Sequence, residues 1–292
     1  MRRILNKAFP YLMTAPALIL FSLLVLWPLC YGAYTSFFRW DGMSAMKWVG
    51  TENYKYLLED EIFITAMKNT VKYALLVLVF KNLIGLTLAL VVNQQKRLKG
   101  FTRTAIYMPV TFSYVVVGVL WMWIFDPNFG LLNGFLQLLG LSSWIQGWLS
   151  DPKIALYSVV AAETWKWMGY HMVLYLAGLQ AIPEELYEAA RLDGANTIQR
   201  FFKITIPQLN STLVLNFVMA LTGAFVNNYT LINVMTNGGP FYSTETAMTY
   251  AVRQVFKYNN LGKANAISIV LFLVVIILGF VQLKATTRDV YE

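Results

Sequence analysis

The sequence predicts an all-α membrane protein with six transmembrane helices and both termini cytoplasmic. Three observations lead there. Of 292 residues, 58% are hydrophobic and only 13% charged, about half the charged share of a soluble protein. Six stretches are long and apolar enough to cross a bilayer core, which takes about 20 residues. Lysine and arginine crowd one set of loops and thin out in the other.

The spans run Leu12–Ser36, Asn69–Asn93, Thr104–Phe125, Ile154–Gln180, Thr205–Ile232 and Ala264–Leu283. The first follows Arg2, Arg3 and Lys7, as in a secretory signal, but its apolar run is too long and Ala15-Pro16-Ala17 comes too early for cleavage. It reads as an uncleaved span. The fourth carries Glu163, Lys166 and His171; the fifth carries Asn210, Asn216, Asn227 and Asn228. Lys72 lies near an outer boundary, where it can snorkel. Lys81 lies nearer mid-span, against protein or a wet cavity. Trp121, Trp123, Trp144 and Trp148 bracket the outer end of the third span and its loop, as an interfacial belt does.

Orientation follows from the basic residues. Arg2, Arg3, Lys7, Lys96, Arg97, Lys99, Arg103, Arg191, Arg200, Lys203, Lys284 and Arg288 occupy one side, in about 53 residues. The opposite loops hold eight in about 91. The dense side is cytoplasmic. The net charge of +8 therefore marks membrane topology; it forms no basic face for nucleic acid.

No enzyme site assembles. His171 is the only histidine, so H-E-x-x-H zinc motifs and paired-histidine haem ligation are excluded. No phosphate-cradling G-x-x-x-x-G-K-[ST] occurs, because Gly262-Lys263 is followed by Ala264. Cys30 is the single cysteine and excludes an intrachain disulfide.

The informative loop is the cytoplasmic one over 181–207. Pro183, Glu184 and Glu185 suit a helix N-terminus, Gly194 suits a left-handed stop, and Asn196 or Thr197 can cap a second helix. Glu188-Ala189-Ala190, Gly194 four residues on, and Ile204-x-Ile206-Pro207 resemble the EAA signature of ABC importer membrane subunits. Asn69-Thr70, Pro109, Gly130-Leu-Leu-Asn133, Trp148-Leu-Ser-Asp-Pro152 and Thr236-Asn-Gly-Gly-Pro240 resemble carbohydrate permeases of the maltose-importer type.

That resemblance implies a type I ABC importer permease fold, with one transmembrane permease domain over 1–292, in the inner membrane of a bacterium or archaeon. It implies a translocation subunit for a sugar or oligosaccharide, not an enzyme. Its implied partners are a second homologous permease, two ATPase subunits that carry ATP and Mg, and an extracytoplasmic solute-binding protein; this chain binds no cofactor. The loop becomes the coupling helix, with Glu188, Ala189, Ala190, Asp193 and Gly194 against the ATPase. Substrate-lining positions carried over from the maltose importer are Glu163, Lys166, Trp167 and Tyr170, with Leu221, Ala224, Phe225 and Asn228. Glu163 stands where the maltose pattern has Asn, and Trp167 where it has Gly, so the ligand differs. Glu163 and Lys166, three apart on one helix face, can alternatively pair with each other. A rival reading is an ion-coupled secondary transporter with Glu163, Lys166 and His171 as a proton relay; it leaves the loop spacing unexplained.

Overall fold

The computed structural model describes residues 13–95, 99–226 and 228–287. Arg2, Arg3, Lys7, Leu12, Lys96, Arg97, Asn227 and Arg288, invoked above, lie outside the described residues, as do the side chains of Lys99 and Lys284. The described chain is helical apart from one two-stranded hairpin and its loops.

Two compact units can be described separately. The first comprises the chain up to Glu61 together with Tyr250–Leu273. Its first helix, α1 (Met13–Thr35), leads to the antiparallel strands β1 (Phe38–Arg39) and β2 (Lys47–Trp48), then to α2 (Glu52–Glu59). Buried Asn53 closes the turn by donating to Ser36 O at 2.7 Å and Phe38 O at 2.9 Å. Gly262 is required beside the hairpin, because a Cβ there would overlap Phe38 O. At the hairpin tip the Asp41 carboxylate accepts from Met43 N, Ser44 N and Ser44 Oγ, and the Ser44 and Met43 amides hold its pKa down at about 2.

The second unit comprises Ile62–Thr249 and the chain from Val274. It holds almost all of α3 (Glu61–Gln94), then α4 (Lys99–Tyr107), α5 (Tyr114–Ile124), α6 (Leu131–Leu138), α7 (Ala155–Gln180) and α8 (Glu184–Leu192). There follow α9 (Thr197–Gln208), α10 (Asn210–Val226) and α11 (Asn228–Met235). The helices α12 (Ala247–Phe256) and α13 (Leu261–Thr287) run through both units.

α3 and α7 are pressed together where glycine permits. A Cβ on Gly85 would stand 2.7 Å from His171 Cβ. Below them Ala89, Val92, Met172, Tyr175, Leu176, Leu179 and Leu209 form a buried apolar cluster. Asn69 Nδ2 donates to the carbonyls of Tyr242 and Glu245, each at 3.0 Å, and Thr70 Oγ1 accepts from Ala247 N. The two residues that open the second predicted span thus hold the segment after the Gly238-Gly239-Pro240 turn.

By length and composition α1, α3 and the Leu261–Gln282 part of α13 can cross a membrane, and two bent helix pairs bring the number to five. α7, which coincides with the fourth predicted span, has the length but carries Glu163, Thr164, Lys166 and His171 buried.

Two predicted spans need correction, because neither is one straight helix. Over Thr104–Phe125 the chain bends by 101° between Thr111 and Tyr114. Pro109 supplies no amide hydrogen, Phe112 is extended, and Ser113 starts α5 afresh by accepting from Val116 N. At Thr205–Ile232 the first residues belong to α9, which meets α10 at 68°. There Pro207 follows a π-helical turn at Phe201–Thr205.

Candidate functional site

A cavity of about 290 Å³ opens among four helices of the second unit. α3 contributes Lys81 and α5 contributes Tyr114; α7 contributes Trp167, Tyr170 and His171; α10 contributes Met219, Thr222 and Gly223. A Cβ on Gly223 would meet nothing within 4 Å, so the α10 backbone is open to a ligand there.

A polar chain stands behind this wall. Lys81 Nζ meets Glu163 Oε1 at 2.6 Å, with the two side chains 3% and 1% exposed. Trp167 Nε1 donates to the Tyr114 hydroxyl at 2.8 Å, and that hydroxyl points its own hydrogen to Glu163 Oε1 at 3.5 Å. Glu163 Oε2 has no hydrogen-bond partner among the described residues. An isolated carboxylate or ammonium in an apolar interior would be prohibitively costly, and pairing offsets part of that cost.

Lys166 does something else. Its Nζ donates to Val110 O at 3.0 Å and Phe112 O at 2.5 Å, the carbonyls at the break between α4 and α5. Irregular backbone at membrane depth must be satisfied by protein, because lipid offers no partner. The ammonium is that partner. It also stands 5.1 Å from the Tyr114 ring centre and 5.2 Å from that of Trp167, within cation–π range. Glu163 and Lys166 therefore do not pair with each other, the alternative their spacing allows; Glu163 is paired with α3 and Lys166 with the break between α4 and α5.

Of the eight positions carried over from the maltose pattern, Trp167 and Tyr170 line the cavity. Glu163 and Lys166 stand behind it. On α10 the cavity takes the face of Met219, Thr222 and Gly223, and Leu221 is not on its wall. Ala224, Phe225 and Asn228 are packed inside at 0%, 1% and 1% exposure. Asn228 donates to Ala224 O and accepts from Thr246 Oγ1. The sequence pattern places Lys81 against protein or a wet cavity, but it does not single out Tyr114, His171, Met219 or Thr222 as cavity residues. A lone mid-span charge is the available signal for Lys81; nothing in the sequence marks Met219.

The second candidate region is the loop over 181–207. α8 ends at Leu192 with Asp193 as its C-cap, and Gly194 takes φ +78, a left-handed stop. Ala195 N returns to Ala190 O at 2.8 Å and Gly194 N to Arg191 O at 3.1 Å, closing the helix end. Asn196 and Gln199 then cap α9 reciprocally. Glu188, Ala189, Asp193 and Gly194 are exposed and Ala190 is half-buried. Leu192 is 90% exposed and Ile198 70%. Tyr187 OH and Thr205 Oγ1, 2.9 Å apart, tie α8 to α9.

Comparison with known proteins gives three concordant results. The family model described as binding-protein-dependent transport system inner membrane component matches residues 81–284. The chain is 38% identical over 285 residues to the probable ABC transporter permease protein YurN of Bacillus subtilis, covering 96% of each. It is 35% identical over 288 residues to the sn-glycerol-3-phosphate transport system permease protein UgpA of Agrobacterium fabrum, covering 98% of this chain and 97% of that one. Among solved structures, it superposes with TM-score 0.84 and 25% identity on a chain of the bacterial alginate ABC transporter in complex with alginate pentasaccharide-bound periplasmic protein, covering 99% and 97% of the two chains.

Proposed function

Since the chain belongs to the binding-protein-dependent transport system inner membrane components, we propose that it forms half of the translocation pathway of an ATP-driven sugar importer. The observation that carries this is the exposed turn from α8 through Gly194 to α9, which presents Glu188, Ala189 and Asp193 outward where the family docks its ATPase. A second homologous permease completes the pathway. Two ATPase subunits, holding ATP and Mg, sit under residues 181–207, and an extracytoplasmic binding protein delivers the sugar.

In this reading residues 1–292 act as one permease domain in the inner membrane, with six spans and both termini cytoplasmic. α7 is the fourth of these spans, its polar groups turned into the protein. The bent α4–α5 pair counts as one span, and the bent α9–α10 pair, continued by α11, as another. ATP-driven closure of the ATPase pair moves the two α8 elements and the permeases rotate to open outward, each nucleotide state favouring one opening by differential contact. Trp167 and Tyr170 offer ring faces to the sugar. Glu163 and Lys166 hold the wall, and Leu221, Ala224, Phe225 and Asn228 shape the helices behind it.

The ion-coupled alternative finds no support in the geometry. Glu163 is engaged by Lys81, Lys166 by two carbonyls, and His171 by Asn216, so the three form no relay with one another.

The experiment is affinity purification of the tagged chain in mild detergent with identification of copurifying proteins. A second permease and an ATPase are expected. A monomer or homodimer that moves substrate into liposomes without ATP would overturn the reading.

A further inference from the structure

The sequence's single histidine sits on the cavity wall at 2% exposure. Its orientation and its proton can be worked out from its neighbours. Asn216, on α10, is also fully buried. One end of its amide lies 3.0 Å from Thr212 O, a pure acceptor, so that end must be the NH2. The other end, which faces His171 Nδ1 at 2.7 Å, is therefore the carbonyl oxygen. A carbonyl needs a donor, so Nδ1 carries the hydrogen. In the neutral ring Nε2 is then a bare acceptor. Nε2 takes no partner among the described residues, although the residue lines the cavity.

The rest of the wall says what such an acceptor would meet. Both nearby cations are already engaged: Lys81 by Glu163 at 2.6 Å, and Lys166 by Val110 O and Phe112 O. An anionic ligand would have to draw one of them out of a buried arrangement, stranding a carboxylate or two carbonyls. A ligand that donates hydrogens costs nothing of that kind. Trp167 and Tyr170 stand edge to face, ring centres 5.6 Å apart at 89°, and present apolar ring surface beside the acceptor. At Gly223 the opposite side lacks a side chain.

Building on the importer reading above, we infer that His171 is a substrate-binding residue whose Nε2 accepts a hydrogen bond from a hydroxyl of an uncharged saccharide, with the sugar ring against Trp167 and Tyr170. The Asn216–Thr212 arrangement positions the acceptor by fixing the ring's proton on the far side.

A unique histidine makes the test direct. The full chain, carrying an affinity tag without histidine, is labelled with 15N-histidine, so one imidazole gives the whole signal. The expected spectrum at neutral pH is the tautomer with hydrogen on Nδ1; hydrogen on Nε2 would overturn the inference. Maltotriose, raffinose and cellotriose are then added as neutral probes and sn-glycerol 3-phosphate as an anionic one. Movement of the Nε2 resonance with a neutral sugar and not with the phosphate is expected. Movement with the phosphate, alone or as well, would overturn the uncharged class, and no movement with any probe would overturn the contact. In the assembled transporter, His171→Leu should lower uptake at limiting sugar about tenfold, the loss of one buried hydrogen bond, while His171→Asn keeps an acceptor and much of the activity. Undiminished uptake by His171→Leu would also overturn it. ATP-driven uptake of a neutral sugar without a shift at His171 would sink this inference alone. No copurifying ATPase and no ATP-driven uptake would sink the importer reading beneath it.

Discussion

Lys81 on α3 and Glu163 on α7 meet at 2.6 Å, with both side chains almost wholly withdrawn from solvent. Removing one member of such a pair strands the other charge, which costs about 3–5 kcal/mol. Lys81→Met should therefore lower the thermal stability of the purified protein sharply. The double variant Lys81→Met with Glu163→Gln should recover much of the loss, since no charge is left uncompensated. Melting curves of the singles and the double in one detergent decide it; an additive double would refute the coupling.

Lys166 closes the break in the third predicted span. Lys166→Leu leaves Val110 O and Phe112 O without a donor, at about 1–3 kcal/mol for each group left unsatisfied. The expected result is a lower melting temperature and a wider distribution of spin-label distances across Thr111 and Tyr114. An unchanged distribution would show that the bend stands without the lysine.

Two glycines separate packing from the cavity. Gly169 on α7 touches the α4 backbone so closely that a Cβ would collide with Ile106 O, whereas Gly223 faces open space. Gly169→Ala should reduce the yield of folded protein. Gly223→Leu should leave yield and melting temperature nearly unchanged while abolishing transport by filling the cavity. Normal uptake by the Gly223 variant would remove this cavity from the pathway.

Gly194 has φ +78, and a Cβ added there would meet no atom within 4 Å. A substitution therefore acts through backbone strain alone, about 1–3 kcal/mol for a residue held in an unfavourable region. Gly194→Val should loosen the turn between α8 and α9 without unfolding the chain. ATP hydrolysis by the assembled transporter should continue while uptake falls. A variant that transports normally would count against coupling through this turn.

The hairpin tip carries a pH dependence of known sign. The Asp41 carboxyl is held at about 2 against its ordinary 3.8 by the Ser44 and Met43 amides. Its support for the turn is complete above 3.8 and is lost as pH falls toward 2. Amide exchange at Met43 and Ser44, corrected for its intrinsic pH dependence, should lose protection over that interval. Protection that stays flat down to pH 2 would contradict it.

Much of the fold is legible in the sequence, and what escapes has a common cause. α1, α7 and the loop with its glycine stop follow from apolar run length and from local capping chemistry, both of which are written in neighbouring residues. The polar face of α7 is legible as a stripe, but its partners are not: Lys81 is 82 residues away from Glu163, and Val110 O is a backbone atom that no side-chain pattern reveals. The bend before Tyr114 needs Ser113 and Lys166 together with Pro109, and only the proline stands out. Asn228 is the converse case. Its polarity suggests a ligand contact, yet Ala224 O and Thr246 Oγ1 already occupy its amide, so Asn228→Ala should harm folding before it harms transport.

α3 runs for 34 residues, roughly 51 Å at 1.5 Å each, against a hydrocarbon core of about 30 Å. Its buried positions recur from Phe63 to Val92, so neighbouring protein braces nearly the whole rod. A helix held along its length cannot choose its tilt to suit the lipid. In a thicker or thinner bilayer the surrounding acyl chains must stretch or compress around this segment, and the protein's internal geometry should be indifferent to the membrane that houses it.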